Sequence, residues 1–115
     1  MREYELTKEA ATLLLALYKS YKQERGKGVS RNEAALLGGS EHIQKTILPD
    51  WSVVDVDDAL CELVGSGLVN CLQSGDNLIQ AAELTPAAIA FMQSRVKRAA
   101  GKAASAVKGL LDMIP

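Results

Sequence analysis

The chain is 115 residues long, with 13 Lys and Arg against 14 Asp and Glu, one His and a formal net charge of −1. That length carries one domain with a modest core, and with 4% aromatic residues the core falls to aliphatic side chains and alanine, a profile of packed helices rather than a large sheet. The start Met1-Arg2-Glu3-Tyr4-Glu5 is too charged for a secretory signal, and the longest uncharged run, Leu63 to Gly75, is well below the roughly 20 residues that span a bilayer, so the expectation is a cytoplasmic protein with no membrane partner.

Thr7 caps a first helix in which Ala10, Leu13, Leu14, Leu17, Tyr18 and Tyr21 recur at steps of three and four, one apolar face. Gly26 and Gly28 end it, and Lys22 and Arg25 suit the negative end of its dipole. Ser30-Arg31-Asn32-Glu33 reads as a capping box, the serine oxygen taking the amide three residues on and Glu33 reaching back to the serine amide. The short helix it opens is expected to run through Leu37 and break at Gly38-Gly39. Ser40 is expected to cap another, with Ile43, Ile47 and Leu48 facing inward until Pro49 closes it.

Pro49-Asp50-Trp51-Ser52 is then a turn, and Ser52 or Asp55 caps the next helix. Its periodicity places Val56, Ala59, Leu60, Leu63 and Val64 in the core and Asp57, Asp58, Cys61 and Glu62 outward. After Gly65-Ser66-Gly67 come two strands, Leu68 to Gln73 and Leu78 to Leu84, joined by the tight-turn composition Gly75-Asp76-Asn77. Thr85-Pro86 is an N-cap followed by proline at the first helical position. A last helix is expected from Pro86 to about Met113. Its apolar positions Ile89, Met92, Val96, Ala99, Ala103, Val107, Leu110 and Ile114 step close to a heptad, and Gly101 weakens it by up to about 1 kcal/mol.

Helix, glycine stop, two-stranded hairpin, helix is the order of a winged helix-turn-helix. The expected fold is mainly α, a small α+β domain with a two-stranded wing over residues 1–95, and a C-terminal helix extension over 96–115 that continues the last helix. The stretch Val56-Asp57-Asp58-Ala59-Leu60-Cys61-Glu62-Leu63-Val64-Gly65-Ser66-Gly67-Leu68, followed by a hairpin and Leu84-Thr85-Pro86, resembles the winged-helix pattern V-x-x-A-L-x-x-L-x-x-x-G-L leading through a wing to L-T. Leu17-Tyr18-Lys19-Ser20-Tyr21, Gly28 to Ala34, Asp76-Asn77 and Phe91-Met92 also resemble small winged-helix proteins of Gram-positive bacteria and their mobile elements. The resemblance covers roughly residues 6–95. It implies the fold, and through the superfamily it implies DNA binding and transcription regulation.

The charge pattern complicates that implication. Residues 19–40 sum to +3, residues 41–83 to −7 and residues 84–115 to +4, a segregation that bears on partners rather than on fold. A recognition helix needs donors for base edges and cations for phosphates, yet this one offers Asp57, Asp58, Glu62 and a cysteine. DNA contact falls instead to Lys22, Arg25, Lys27 and Arg31 with Arg95 and Arg98, without ordinary insertion of the recognition helix. The alternative is a protein-interaction module in which Asp57, Asp58 and Glu62 meet a basic partner. The seam through Val96, Ala103, Val107 and Leu110 packs either on its own domain or against a second copy, a homodimer.

No catalytic constellation is present in the sequence, and no enzyme activity is expected. His42 has no nucleophile at a recognisable spacing, and reads as a surface or capping residue. Asp55-Val56-Asp57-Asp58 lacks the glycine and terminal glutamate of a calcium loop. Gly38-Gly39 and Gly65-Ser66-Gly67 lack the lysine of a phosphate loop. Cys61 and Cys71 fit no metal or redox spacing, and are expected as reduced, half-buried small hydrophobes. Neither a metal nor a cofactor is expected.

Overall fold

The computed structural model describes residues 5–75 and 77–102, with side-chain environments through residue 95. Helix α1 (Lys8–Gly26) begins where the Thr7 hydroxyl accepts the Ala10 N–H at 3.2 Å. Its buried face is Ala10, Leu13, Leu14, Leu17, Tyr18 and Tyr21, as the spacing predicts. Helix α2 (Arg31–Ala34) is a single turn capped by Ser30, whose oxygen accepts the Glu33 N–H at 3.3 Å. The return half of the expected capping box differs: the Ser30 hydroxyl, not its amide, donates to the Glu33 carboxylate at 3.1 Å.

The helix expected to continue through Leu37 does not. Leu36–Gly38 forms strand β1, which pairs antiparallel with β3 (Ile79–Leu84). The Leu84 N–H reaches back to the Ala35 carbonyl at 2.9 Å and anchors that pairing. Gly38 and Gly39 are the corner that lets the chain leave β3. Gly38 has φ +80, a left-handed conformation that favours glycine. A Cβ on Gly39 would lie 2.6 Å from the Ile79 and Gln80 carbonyl oxygens, so β3 can pass this close only over a glycine. Tertiary pairing overrides local helical preference here.

Helix α3 (Ser40–Thr46) follows at once, with Gly39 and not Ser40 at its N-cap; Ser40 is fully buried. Ile43 is buried beneath it, while Ile47 and Leu48 are half-buried. Helix α4 (Val53–Gly65) starts at Ser52, whose hydroxyl oxygen accepts the Asp55 N–H at 3.1 Å. It closes with the Leu68 N–H on the Leu63 carbonyl at 3.0 Å. Strand β2 (Val69–Ser74) then turns into β3, and the sheet order is β1-β3-β2, antiparallel throughout. Helix α5 (Pro86–Lys102) is capped by Thr85, whose oxygen accepts the Ala88 N–H at 3.1 Å while its hydroxyl donates to the Gly67 carbonyl at 2.9 Å.

The result is a small mixed α+β domain, five helices and a three-stranded antiparallel sheet among the described residues. Its core joins the buried face of α1 to Val56, Ala59, Leu60 and Leu63 of α4, to Leu68, Val69, Ile79, Ala82 and Leu84 of the sheet region, and to Ala88, Ile89, Phe91 and Met92 of α5. Each fully buried leucine contributes about 1.5–3 kcal/mol, so α4 is fixed mainly by Leu60 and Leu63 at zero exposure. Both cysteines are exposed, not half-buried as expected. Of the expected seam, Ala103, Val107, Leu110 and the side chain of Val96 lie outside the described residues. No described helix is long and apolar enough to cross a membrane.

Candidate functional site

Helix α4 carries four of the chain's acidic residues, and the structure divides them. Asp57, expected on the outer face, is only 8% exposed. Its Oδ1 accepts the Ser40 hydroxyl at 2.6 Å and the Ile79 N–H at 2.9 Å, and the Cys61 thiol lies 3.8 Å from its Oδ2. The carboxylate thus ties the first turn of α3 and the first residue of β3 to α4. Asp57 follows Val56 at the margin of the core face, and two donors from other elements meet it there, which is what makes a buried carboxylate tolerable. It is a structural clamp and is not displayed to a partner.

The outer face holds Val54, Asp55, Asp58 and Cys61 exposed, with Glu62 half-buried. Between this face and the start of α1 lies a shallow groove of about 570 Å³. Its acidic lining is Glu9, Asp50, Asp55, Asp58 and Glu62, with Trp51 at the turn before α4. Glu62 bridges the two helices: Oε2 accepts the Thr7 N–H at 2.8 Å and Oε1 the Thr7 hydroxyl at 2.7 Å. These bonds to the charged form, the backbone one first, hold its carboxyl below the usual glutamate range. Gln44 steadies the turn by donating to the Trp51 carbonyl at 2.9 Å and the Pro49 carbonyl at 3.1 Å. Among the described residues the ion pair is Lys27–Glu24, elsewhere on α1, so no described cation neutralises the groove.

Asp58 and Glu62 therefore sit together as expected, whereas Glu9, Asp50 and Trp51 are groove members that the sequence did not reveal. The spacing rule that finds a helix face says nothing about which distant helix end lies beside it. Cys61 borders this region, and its thiol is pushed up by partial desolvation and then by the Asp57 carboxylate, which keeps it protonated and a poor nucleophile.

The basic candidates lie elsewhere. Lys22, Arg25, Lys27 and Arg31 are all exposed around the end of α1 and the start of α2. Two of them have local roles: Arg25 donates to the Val29 carbonyl at 3.0 Å, closing the loop, and Lys27 pairs with Glu24 at 3.2 Å. Arg95 is exposed on α5 with its guanidinium 5.6 Å from the Phe91 ring centroid. Arg98 lies further along α5, where side chains are not described. A second cleft of about 700 Å³ between α1 and the β1–α3 corner has mixed lining, including Lys19, Glu24, Glu33, Leu36 and His42. His42 is exposed there, and its ring would clash with any Cβ at Gly38.

No protein-family model, curated protein or solved structure matches the chain.

Proposed function

We propose that this chain is a non-enzymatic winged-helix domain whose acidic α4 face and adjoining groove dock a basic segment of a protein partner. Support for the winged-helix reading is the element order together with the strand order β1-β3-β2. In that reading α3 and α4 form the helix-turn-helix, and the β2–β3 hairpin is the wing. The observation that carries the function is the set of five groove carboxylates beside Trp51 with no described cation among them. Insertion of α4 into a duplex would bring Asp55, Asp58 and Glu62 against dense phosphate charge, whereas a lysine- or arginine-rich segment meets complementary charge and an aromatic ring.

A second reading is a dimeric, cytoplasmic DNA-associated regulator that contacts phosphates through the α1–α2 end. The exposed cluster of Lys22, Lys27 and Arg31 favours it. One experiment separates the two. Trp51 is the sole tryptophan of the chain, so its emission reports directly on the groove. Oligolysine should give a saturable change that is lost in the Asp55→Lys, Asp58→Lys double variant and weakened by salt. Duplex DNA should give no binding at physiological salt. A saturable shift of duplex DNA, abolished by Lys22→Ala with Arg31→Ala and absent with oligolysine, would replace the first reading by the second.

A further inference from the structure

Helix α4 and strand β3 run side by side in the same direction, pinned near both ends. At one end the Asp57 carboxylate accepts the Ile79 N–H at 2.9 Å. At the other, the Leu63 carbonyl accepts the Leu68 N–H at 3.0 Å, and the Leu68 carbonyl accepts the Thr85 N–H at 3.2 Å. Cys61 lies between these pins, one helical turn or about 6 Å beyond Asp57. Its thiol is 3.8 Å from the Asp57 Oδ2, so it sits on the side of α4 that Asp57 turns toward the sheet. Ala82 lies between the same pins, about 10 Å beyond Ile79 along β3, and its partner across the ladder is Cys71 of β2.

Paired residues of an antiparallel ladder share one face of the sheet. Ala82 is buried, and so is Val69, two residues before Cys71 on β2. Cys71 therefore belongs to the core side of the sheet, the side on which α4 packs against β2. It is nevertheless exposed, because β2 is an edge strand paired with β3 alone. Cys61 and Cys71 thus face the same seam between α4 and β2, both free and both open to solvent. The Cys61 thiol, pushed up first by burial and next by Asp57, also feels the charge of Cys71.

We infer that Cys61 and Cys71 form a paired-thiol modification site for small-molecule disulfides, and that exchange links α4 to β2 through a reversible Cys61–Cys71 disulfide. Cys61 is held protonated beside Asp57, so Cys71 attacks first. Its thiolate displaces one sulfur of the small disulfide, leaving a mixed disulfide on Cys71 and releasing one small thiolate. Cys61 then attacks the Cys71 sulfur. The Cys61–Cys71 bond forms, the mixed bond breaks, and the second small thiolate leaves. The two cysteine protons go to the departing thiolates, and the two electrons that the cysteines lose reduce the small disulfide to two thiols. Asp57 gives up its thiol neighbour at Oδ2 and keeps Ser40 and Ile79 at Oδ1. The edge strand becomes stapled to α4, whatever docks on the groove.

The test equilibrates the full chain with oxidised and reduced glutathione, in native buffer and in unfolding urea, and reads acid-quenched samples by intact mass and peptide mapping. The native product should be a monomer lighter by two hydrogens, with Cys61 joined to Cys71. The equilibrium constant for that link should be at least about tenfold larger in the folded chain than in urea, and the linked protein should have the higher urea midpoint. Cys61→Ser should stop at a mixed disulfide on Cys71, and Cys71→Ser should take up glutathione at least about tenfold more slowly. The inference fails if native oxidation leaves mixed disulfides on both cysteines or joins two chains. It fails equally if the link is no more favourable in the folded chain than in the unfolded one. Equal rates for the two serine variants would overturn the assignment of Cys71 as the attacking thiol.

Discussion

Asp57 and Asp58 are neighbours in the chain with the same charge, on the same helix, in opposite surroundings. Asp57 spends its Oδ1 on both Ser40 and Ile79 at the margin of the core, whereas Asp58 is exposed in the groove. The inner edge of α4 uses a carboxylate to join three elements. The outer face leaves its carboxylates without described cations, and is the face that the proposed docking would use. Acidic content alone therefore says little about this helix; the position of each oxygen relative to a donor decides its role.

Breaking the inner side should have the largest effects. Leu63→Asp places an unpaired charge at a position with zero exposure and should cost more than about 4 kcal/mol, leaving the domain unfolded by circular dichroism. Asp57→Ala comes next. It leaves the Ser40 hydroxyl and the Ile79 N–H buried without an acceptor, at about 1–3 kcal/mol each, and Asp57→Asn, which keeps one acceptor oxygen, should lose less in urea titration. The outer side should respond in the reverse sense. Asp58→Lys should shift stability by no more than about 0.5 kcal/mol while markedly reducing the oligolysine response of Trp51.

The smallest effect sharpens the boundary between the faces. Glu62 binds Thr7 through both oxygens, and its folded pKa is lowered. Its contribution is therefore fully present above the unfolded glutamate value of about 4.3 and is lost as pH falls through the lower folded value. Glu62→Gln should lower the neutral-to-alkaline plateau by a small constant amount and remove the slope that the wild type shows below about pH 4.3, as read by urea midpoints across pH.

Much of the fold is legible in the sequence because its signals are local. Thr7 and Thr85 cap the helices they were expected to cap, and of the two candidates for α4 it is Ser52, not Asp55, that does so. The apolar face of α1 matches residue for residue, and the hairpin falls within one residue of its expected bounds at each strand end. Strand β1 was not legible, because Leu36–Gly38 is a strand only by virtue of β3, more than forty residues later in the chain. The Gly38-Gly39 pair was visible, but as a break; its purpose, letting the Ile79 and Gln80 carbonyls approach, exists only in three dimensions. The same limit applies to the groove. Asp58 and Glu62 could be read from helical periodicity, while Glu9 and Trp51 belong to it through the packing of α1 and the turn against α4. The inward turn of Asp57 left no local trace, since its partners Ser40 and Ile79 lie 17 and 22 residues away.

The Asp57 carboxylate also sets how the molecule opens. Because one side chain holds the start of α3, the body of α4 and the first amide of β3, none of these can exchange its amide hydrogens by fraying alone. The Ile79 amide should exchange with deuterium at a rate set by cooperative opening of the domain, although it sits near the hairpin turn. Exposed β2 amides towards the tip, such as those at Gln73 and Ser74, should exchange by local opening. The hairpin would then divide into a base that shares the stability of the core and a tip that does not, with the border fixed by a single residue on another helix.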